Sequence, residues 1–411
     1  MADDLSFDAG GAGSEWSLFV AGDCVPDRDD TPLVAPTVVD RIADADLAAA
    51  NLEAPVETDA DPVSKSGPAL TADPDAPERL ADAGFDVLAL ANNHVMDYGA
   101  TGMRATREAC ATAGVRTAGA GEDRTDALEP ARFEVRGVDV AVVSVCEREF
   151  GVATADRPGT AWSGHRDAVA AVRGAADDAD AVVVLSHGGA EYVPLPPPSR
   201  RARLREFVEA GADLVVGHHP HVAQGWELYE DAPVFYSLGN FVFDRQADEE
   251  NTARGLALDV RFANGAVAAV DLVPTVLDGS VRLLDGDAAD EYRDYLHRAA
   301  DVVADEERYE AHWQAIAVRL FYERYSNWLM TGVGENLALA RTNPHDPDAQ
   351  RPLWDPERRR RELLTLLNLF RNESHGAVVT TALEVLSGNR SDRRTESVEE
   401  SVDALLAWTG R

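Results

Sequence analysis

From Ser17 to about Pro274 the chain alternates short apolar runs with amphipathic segments, and several runs end on side chains that can hold a metal. Residues 16–21 lead into Gly22-Asp23, residues 48–50 into Asn51-Leu52-Glu53, and residues 86–91 into Asn92-Asn93-His94. Residues 138–145, 181–185 and 213–216 repeat the pattern, the last two shortly before His187 and His218-His219-Pro220-His221. Helix candidates at 77–83, 102–113 and 199–210 lie between them. Short apolar strands alternating with helices predict an α/β domain around a central sheet. Residues 234–237, 255–262 and 266–273 read as later strands, and Asn264-Gly265 between the last two suits a type I′ hairpin turn.

After Pro274 the character changes. Residues 290–330 carry Ala, Glu, Arg and aromatic side chains at helical spacing, and 358–370, 380–386 and 397–409 are further helix candidates. Residues 342–357 hold Pro344, Pro347, Pro352 and Pro356 and read as an exposed linker. The expected organisation is an acidic flexible tail (1–16), an α/β domain (17–275) and a mainly helical region (276–411). That last region either packs on the core or forms a small bundle. The basic run Arg358 to Arg361 reads as a solvated helix face.

Acidic residues outnumber basic ones 73 to 38, the formal charge is −35, and Lys65 is the only lysine. The acids are spread along a chain with abundant periodic apolar segments, which argues against general disorder. A dense carboxylate surface repels itself at low ionic strength, whereas at 1 M salt the Debye length falls to roughly 3 Å. The charge therefore reads as adaptation to a saline cytoplasm, as in halophilic archaea. It also argues against nucleic acid or an anionic membrane as a partner. No run of 18 apolar residues is present, so no transmembrane helix is expected, and the acidic, Gly-rich start lacks the basic-then-apolar pattern of a secretory signal. Cytoplasmic residence is the resulting expectation. Cys24, Cys110 and Cys146 make neither a zinc spacing nor a disulfide framework and are expected as buried small hydrophobes.

Loops at strand ends of open α/β sheets converge on one edge, where ligands bind. Asp23, Glu53, Asn93, His187, His219 and His221 fall in such loops and together offer imidazoles, carboxylates and an amide oxygen. That donor mixture suits one or two divalent ions, with Mn, Zn or Fe the best matches. Asp23 alone could merely cap a turn. Asn51 and Glu53 share one face of an extended segment, and Glu53 is the better candidate of the two. His94 can donate a proton to a leaving oxygen. Gly188 and Gly189 beside His187 allow close approach of a ligand. In Gly217-His218-His219-Pro220-His221 two imidazoles one residue apart can grip one ion or neighbouring ions, and either His218 or His219 can be the first of them. His165, His297, His312, His345 and His375 are assigned to structure or surface.

Taken in order, Gly22-Asp23, Asn51-Leu52-Glu53-Ala54-Pro55, Ala91-Asn92-Asn93-His94 with Asp97-Tyr98-Gly99, His187-Gly188 with Glu191-Tyr192, Gly217-His218-His219-Pro220-His221 and Tyr236-Ser237-Leu238-Gly239-Asn240-Phe241 form one set. Between residues 17 and 244 this set resembles the CapA-type capsule-synthesis proteins, a branch of the calcineurin-like metallophosphoesterases. Lys65 falls where that family tends to place a lysine, which suggests anion contact. The resemblance implies a four-layer α/β/β/α sandwich with a helical C-terminal extension outside the match. It implies Asp23 and Glu53 as carboxylate ligands, with Glu53 a candidate bridge between two ions. Asn93 would be the amide ligand, His187, His219 and His221 the imidazoles, and His94 the general acid. The chain departs from the wider superfamily at Val25, where a His is usual. It departs again at Asn51-Leu52-Glu53, in place of Gly-Asp, and at Val95, in place of an acid. The CapA branch resembles it in those departures.

Two functions are expected from this reading. One is a metal-dependent hydrolase of a phosphoester or related acyl-type bond, acting on a small-molecule or polymer substrate that is phosphorylated or polyglutamate. The other is a non-catalytic accessory of polymer synthesis or export that uses an inherited metal pocket.

Overall fold

The computed structural model describes residues 4–7, 14–28, 31–247, 250–333 and 346–410. Along the first long apolar run, alternate side chains enter different cores. Trp16, Leu18 and Val20 join one hydrophobic cluster while Phe19, Ala21 and Val25 join another. This period of two makes the run a central strand buried on both faces.

The chain begins with β1 (Asp4–Ser6), β2 (Glu15–Val25), β3 (Leu47–Leu52), β4 (Val87–Ala89) and β5 (Arg116–Ala118). Then follow β6 (Ala120–Gly121), β7 (Ala131–Val135), β8 (Val138–Cys146), β9 (Gly159–Thr160), β10 (Ala181–His187) and β11 (Leu214–His218). After β12 (Trp226–Tyr229) and β13 (Ala232–Phe235) come β14 (Asn240–Phe243), β15 (Arg254–Ala263), β16 (Ala266–Asp278) and β17 (Ser280–Leu283). One sheet runs β1-β16-β15-β2-β3-β4-β5, with β14 beside β2 and β17 beside β16. The other runs β12-β13-β11-β10-β8-β7. In the first, β2 through β5 are parallel; in the second, β8, β10, β11 and β13 are.

The sheets face each other through one core, which joins Leu18, Leu47 and Val87 with Val142, Val183 and Val215. Helices Pro36–Asp44, Ala76–Asp82 and Gly99–Thr112 cover the outer face of the first sheet through Val38, Ile42, Leu80 and Met103. Helices Arg166–Asp178 and Pro198–Glu209 cover the second. The result is the expected α/β/β/α sandwich. Each fully buried Val or Leu in it contributes roughly 1.5–3 kcal/mol of transfer free energy.

The expected hairpin is present: Asn264 and Gly265 both have positive φ, at 55° and 82°, between β15 and β16. The first sheet continues through β17 to Leu283, so the helical region begins at Gly286. Within the stretch expected as an acidic tail, Asp4–Ser6 pairs antiparallel with β16, while residues 1–3 and 8–13 lie outside the described residues. Of the expected linker at 342–357, residues 342–345 also lie outside them. The remainder departs from an open linker. Pro347–Gln350 and Arg351–Trp354 are helical turns, and Pro356 opens the helix Pro356–Arg371. Proline at the first helical position loses no hydrogen bond, which is why a proline-rich stretch can begin a helix. Cys24, Cys110 and Cys146 are buried thiols, as expected.

Helices Gly286–Ala304, Glu306–Leu320, Glu373–Leu386 and Glu396–Leu406 pack on the sandwich. The Tyr295 hydroxyl donates to Ala223 O (2.7 Å) and the Tyr309 hydroxyl to Pro196 O (2.8 Å). Buried Trp313 donates from Nε1 to Thr381 Oγ1 at 3.1 Å. The two tyrosine bonds tie the helices to the loops that follow β11 and β10.

At the end of β2 the register with β3 shifts between Val20 and Asp23, and β14 shifts opposite it, between Asn240 and Val242. Such irregularities re-aim a side chain beside a site. Gly22 allows the close approach: a Cβ there would lie 2.0 Å from Gly239 O. We expect Gly22→Ala to lower stability by at least about 2 kcal/mol. A chemical-denaturation midpoint equal to wild type would refute this account of the β2–β14 contact.

Candidate metal centre

The parallel strands of both sheets deliver their C-terminal ends to one place. Asp23 lies in β2, Glu53 just past β3, Asn93 and His94 past β4, His187 at the end of β10, and His219 and His221 past β11. Asp23, Glu53, His94, His187, His219 and His221 are all buried.

Glu53, His187 and His219 form one group, and Asp23, Glu53 and His221 a second, each with ligand atoms within 4.8 Å of one another. Glu53 belongs to both. Its Oε1 is 3.5 Å from His187 Nε2 and 3.9 Å from His219 Nδ1, while Oε2 is 4.0 Å from His221 Nδ1. His221 Nδ1 is also 3.9 Å from Asp23 Oδ2. Asn93 Oδ1 lies 3.0 Å from His187 Nε2, so amide, imidazole and carboxylate converge on one point. The structure thus brings together all six residues expected as ligands. His218 turns away, its Nε2 against Ala21 O at 3.1 Å, so His219 is the member of the pair that joins the cluster.

Neighbouring amides set the orientation of these groups. Asn51 Nδ2 donates to Asp23 Oδ1 (2.7 Å) and approaches His187 Nδ1 (3.2 Å). Asn92 Oδ1 accepts from the backbone N–H of His94 and Val95, holding that loop. Asn240 Oδ1 meets His221 Nδ1 at 3.0 Å, and its own Nδ2 is fixed by Gln246 Oε1 and Thr252 O. His219 and His221 have φ of 100° and 60°, in the left-handed region that non-glycine residues rarely occupy. The His219 amide compensates by donating to Asp23 Oδ2 at 3.0 Å. Such backbone strain concentrates where a site over-determines it.

The electrostatics fit a cation. Neither Glu53 oxygen, nor Nδ1 of His219, has a hydrogen-bond partner among the described residues. Burial, reinforced by nearby Asp23, pushes the Glu53 carboxyl well above its usual range. Burial and the clustering of imidazoles hold His187 and His219 well below theirs, so both present lone pairs. Buried carboxylate oxygens aimed at unprotonated imidazoles form the donor set of a divalent metal.

His94 stands apart from both groups. Its Nδ1 is 2.7 Å from Asp97 Oδ2, which also accepts from Leu70 N at 2.8 Å. Lys65 forms a close ion pair with the other Asp97 oxygen and reaches Asn93 O and His94 Nδ1, each at 3.2 Å. The only lysine thus braces the loop that carries Asn93 and His94. Burial and the Lys65 charge hold His94 below the usual histidine range, outweighing Asp97.

A cavity of about 590 Å³ opens beside these groups, lined on one side by Lys65, Asn93 and His94. Its other side comes from residues that the sequence reading left out: Glu149 past β8, and Arg324, Trp328, Arg361, Asn368 and His375 of the helical region. His375, expected as structure or surface, lines this cavity and has Nδ1 2.8 Å from the Tyr325 hydroxyl. Arg361, expected on a solvated face, also borders it. Arg324 leaves a π-helical turn, Phe321–Tyr325, and donates to Glu191 Oε2 at 2.7 Å. Burial raises Glu191, but the adjoining Arg324 guanidinium leads the groups that outweigh it and hold the carboxyl well below its usual range. Burial pushes Glu149 up to about 7, with Lys65 opposing and Glu191 adding. Only the position of Glu149, three residues past a strand end, signals it in the sequence.

A family model described as "Bacterial capsule synthesis protein PGA_cap" matches residues 17–245. The capsule biosynthesis protein CapA of Bacillus anthracis is 36% identical over 218 residues, 51% of this chain and 53% of that protein. The PGA biosynthesis protein CapA of Bacillus subtilis (strain 168) is 40% identical over 170 residues, 40% of this chain and 44% of that one. The chain therefore spans about half the length of the curated relatives it matches. Among solved structures, a 5'-nucleotidase precursor from Thermus thermophilus gives a TM-score of 0.39 at 13% identity, covering 71% of this chain and 59% of that chain.

The ligand geometry sets the first expected outcome. Protein purified in high salt with Mn or Zn holds metal, and Glu53→Gln or His219→Ala weakens metal affinity at least about tenfold, whereas His94→Ala leaves it unchanged. Elemental analysis giving equal metal in wild type and Glu53→Gln would sink the shared-ligand geometry. For Glu149, the folded carboxyl titrates near 7 against an ordinary 4.5, so the folded state binds the proton more tightly. Its contribution to stability is then full below about pH 4.5 and is lost as pH rises to about 7, by on the order of 3 kcal/mol. In metal-free protein, Glu149→Gln should flatten the fall in denaturation free energy across that window. A pH dependence identical to wild type would exclude it.

Proposed function

Because the chain belongs to the bacterial capsule synthesis protein PGA_cap family, we propose that its α/β sandwich is a metal-dependent hydrolase of a phosphoester or related bond, acting in capsule or poly-γ-glutamate synthesis. The observation that carries this reading is Glu53, buried, shared by two ligand groups, and with both oxygens unpartnered among the described residues.

In this reading Asp23, Glu53, Asn93, His187, His219 and His221 hold one or two divalent ions, with Mn, Zn and Fe suited to the mixed N and O donors. Such an ion supplies Lewis acidity toward a phosphoryl or acyl oxygen. The protein's own groups do the rest. Asn51 and the His219 amide fix both oxygens of Asp23, which directs its remaining lone pairs. Asp97 holds His94 through Nδ1, with Lys65 clamping the carboxylate from the other side. Held neutral by burial, with its proton on Nδ1 toward Asp97, His94 presents Nε2 to accept a proton and return it to a departing oxygen. Glu149 and Glu191 set the charge of the cavity in which the substrate lies.

One observation favours a non-catalytic accessory role. Val25, where a His is usual in the wider superfamily, is fully buried in the apolar core and can ligate nothing. Metal content with turnover against metal content without it separates the two readings.

The catalytic reading predicts turnover of chromogenic phosphodiester or phosphomonoester substrates in high salt with Mn or Zn. His94→Ala should lower that rate about 10²–10⁴-fold while metal content stays constant. Turnover that survives both His94→Ala and His219→Ala at the wild-type rate would remove the claim.

A further inference from the structure

The cavity beside the metal ligands has two walls of different origin. One belongs to the family-matched sandwich, and the other to the helical region beyond residue 245. On the first wall Lys65 is paired to Asp97. At the junction, Arg324 is paired to Glu191 and stacks over the Trp328 ring at 4.7 Å. That stacking holds the guanidinium flat and leaves it further N–H donors.

Two groups on the helix Pro356–Arg371 remain unmatched. Arg361 has no carboxylate within ion-pair distance among the described residues, in a chain where acids outnumber bases 73 to 38. Seven residues on, two turns further along the same helical face, Asn368 lines the same cavity and is only 7% exposed. Its Oδ1 has no hydrogen-bond partner among the described residues. A spacing of seven keeps both on one side of the helix. A cation left unpaired in so acidic a chain, next to a buried unsatisfied amide, points to a ligand that supplies both an anion and a donor.

We propose that the helical C-terminal region gives this cavity an oxyanion-binding wall, in which Arg361, Arg324 and the Asn368 amide receive a carboxylate or phosphate carried by the substrate away from the reacting bond. The anion takes guanidinium N–H donors, which favour planar oxyanions, and an adjoining N–H or O–H donates to Asn368 Oδ1. A carboxylate beside an amide N–H meets this requirement, and so does a hydrogenphosphate. The inference deepens the hydrolase reading of the same cavity and rests on it for treating the cavity as a substrate site.

The test is calorimetric titration of the full chain in high-salt buffer with triglutamate, trialanine and inorganic phosphate. Wild type should bind triglutamate, phosphate or both, and bind trialanine at least about tenfold more weakly. Arg361→Gln and Asn368→Ala should each weaken the anion that binds by about tenfold. Arg361→Lys should recover part of the loss, and the thermal transition of Arg361→Gln should not move because this side chain is exposed. Weakening confined to triglutamate assigns a carboxylate, and weakening confined to phosphate assigns a phosphoryl group. Anion binding untouched by both variants, no binding of either anion to wild type, or equal binding of trialanine overturns the proposal. Its failure is separable from that of the hydrolase reading. Arg361-dependent binding by protein without turnover keeps the wall and rejects the enzyme, whereas turnover with unaltered Arg361→Gln binding does the reverse.

Discussion

Burying Glu53 with neither carboxylate oxygen hydrogen-bonded among the described residues is the arrangement on which the rest of the site depends. An unsatisfied buried polar group costs about 1–3 kcal/mol, and more when it is charged. Within the protein the nearest compensation is a set of imidazoles that burial keeps neutral, and these offer lone pairs where Glu53 needs positive charge. A divalent cation between them would satisfy both sides at once. The surrounding amides make sense on the same basis. Asn51, Asn92 and Asn240 bring hydrogen-bonding capacity without adding charge, so they orient the cluster residues without adding a competing carboxylate. Left-handed backbone at His219 and His221 is tolerated because the loop is anchored at Asp23 and Asn240.

Much of this was legible in the sequence, for a physical reason. Strand ends of parallel sheets meet at one edge, so side chains placed just after apolar runs can be expected to converge without knowledge of the fold. That logic reached Asp23, Glu53, Asn93, His187 and His221. It left His218 and His219 open, because the two imidazoles are adjacent after Gly217; in the structure His219, with positive φ, joins the cluster, while His218 meets Ala21 O. Element limits moved where hydrogen bonding continues beyond the apolar run, as at His187, which still pairs with His218 in the sheet, and at β16, which runs on to Asp278. The proline-rich stretch failed as a linker because a proline at a helix start is indistinguishable by composition from one in a loop.

The far wall of the cavity was not legible. Helical periodicity identifies an apolar face but not the loop that the face will cover. His375 lies in a helix beside the buried Trp313–Thr381 contact, and Arg361 lies within a run of four arginines. Nothing local distinguishes either from surface. Long-range packing decides it: Tyr295 and Tyr309 bond to the loops after β11 and β10, and the following helices lie over the candidate metal ligands. A region outside the family match thereby becomes part of the site.

The overall charge and the proposed ligand also become compatible at this level. A chain at −35 repels an anion over long distances in dilute buffer. At 1 M salt the Debye length is roughly 3 Å, so that repulsion does not extend beyond the first layer of ions. What an approaching anion then meets is decided by contacts at the cavity, where Arg361 has no carboxylate within ion-pair distance among the described residues. Arg324 is committed to Glu191 and Lys65 to Asp97, so the net preference of the cavity rests on a single surplus charge and on the protonation of Glu149. The acidic exterior and an anion-selecting interior are therefore consistent in concentrated salt, and they conflict as salt is withdrawn.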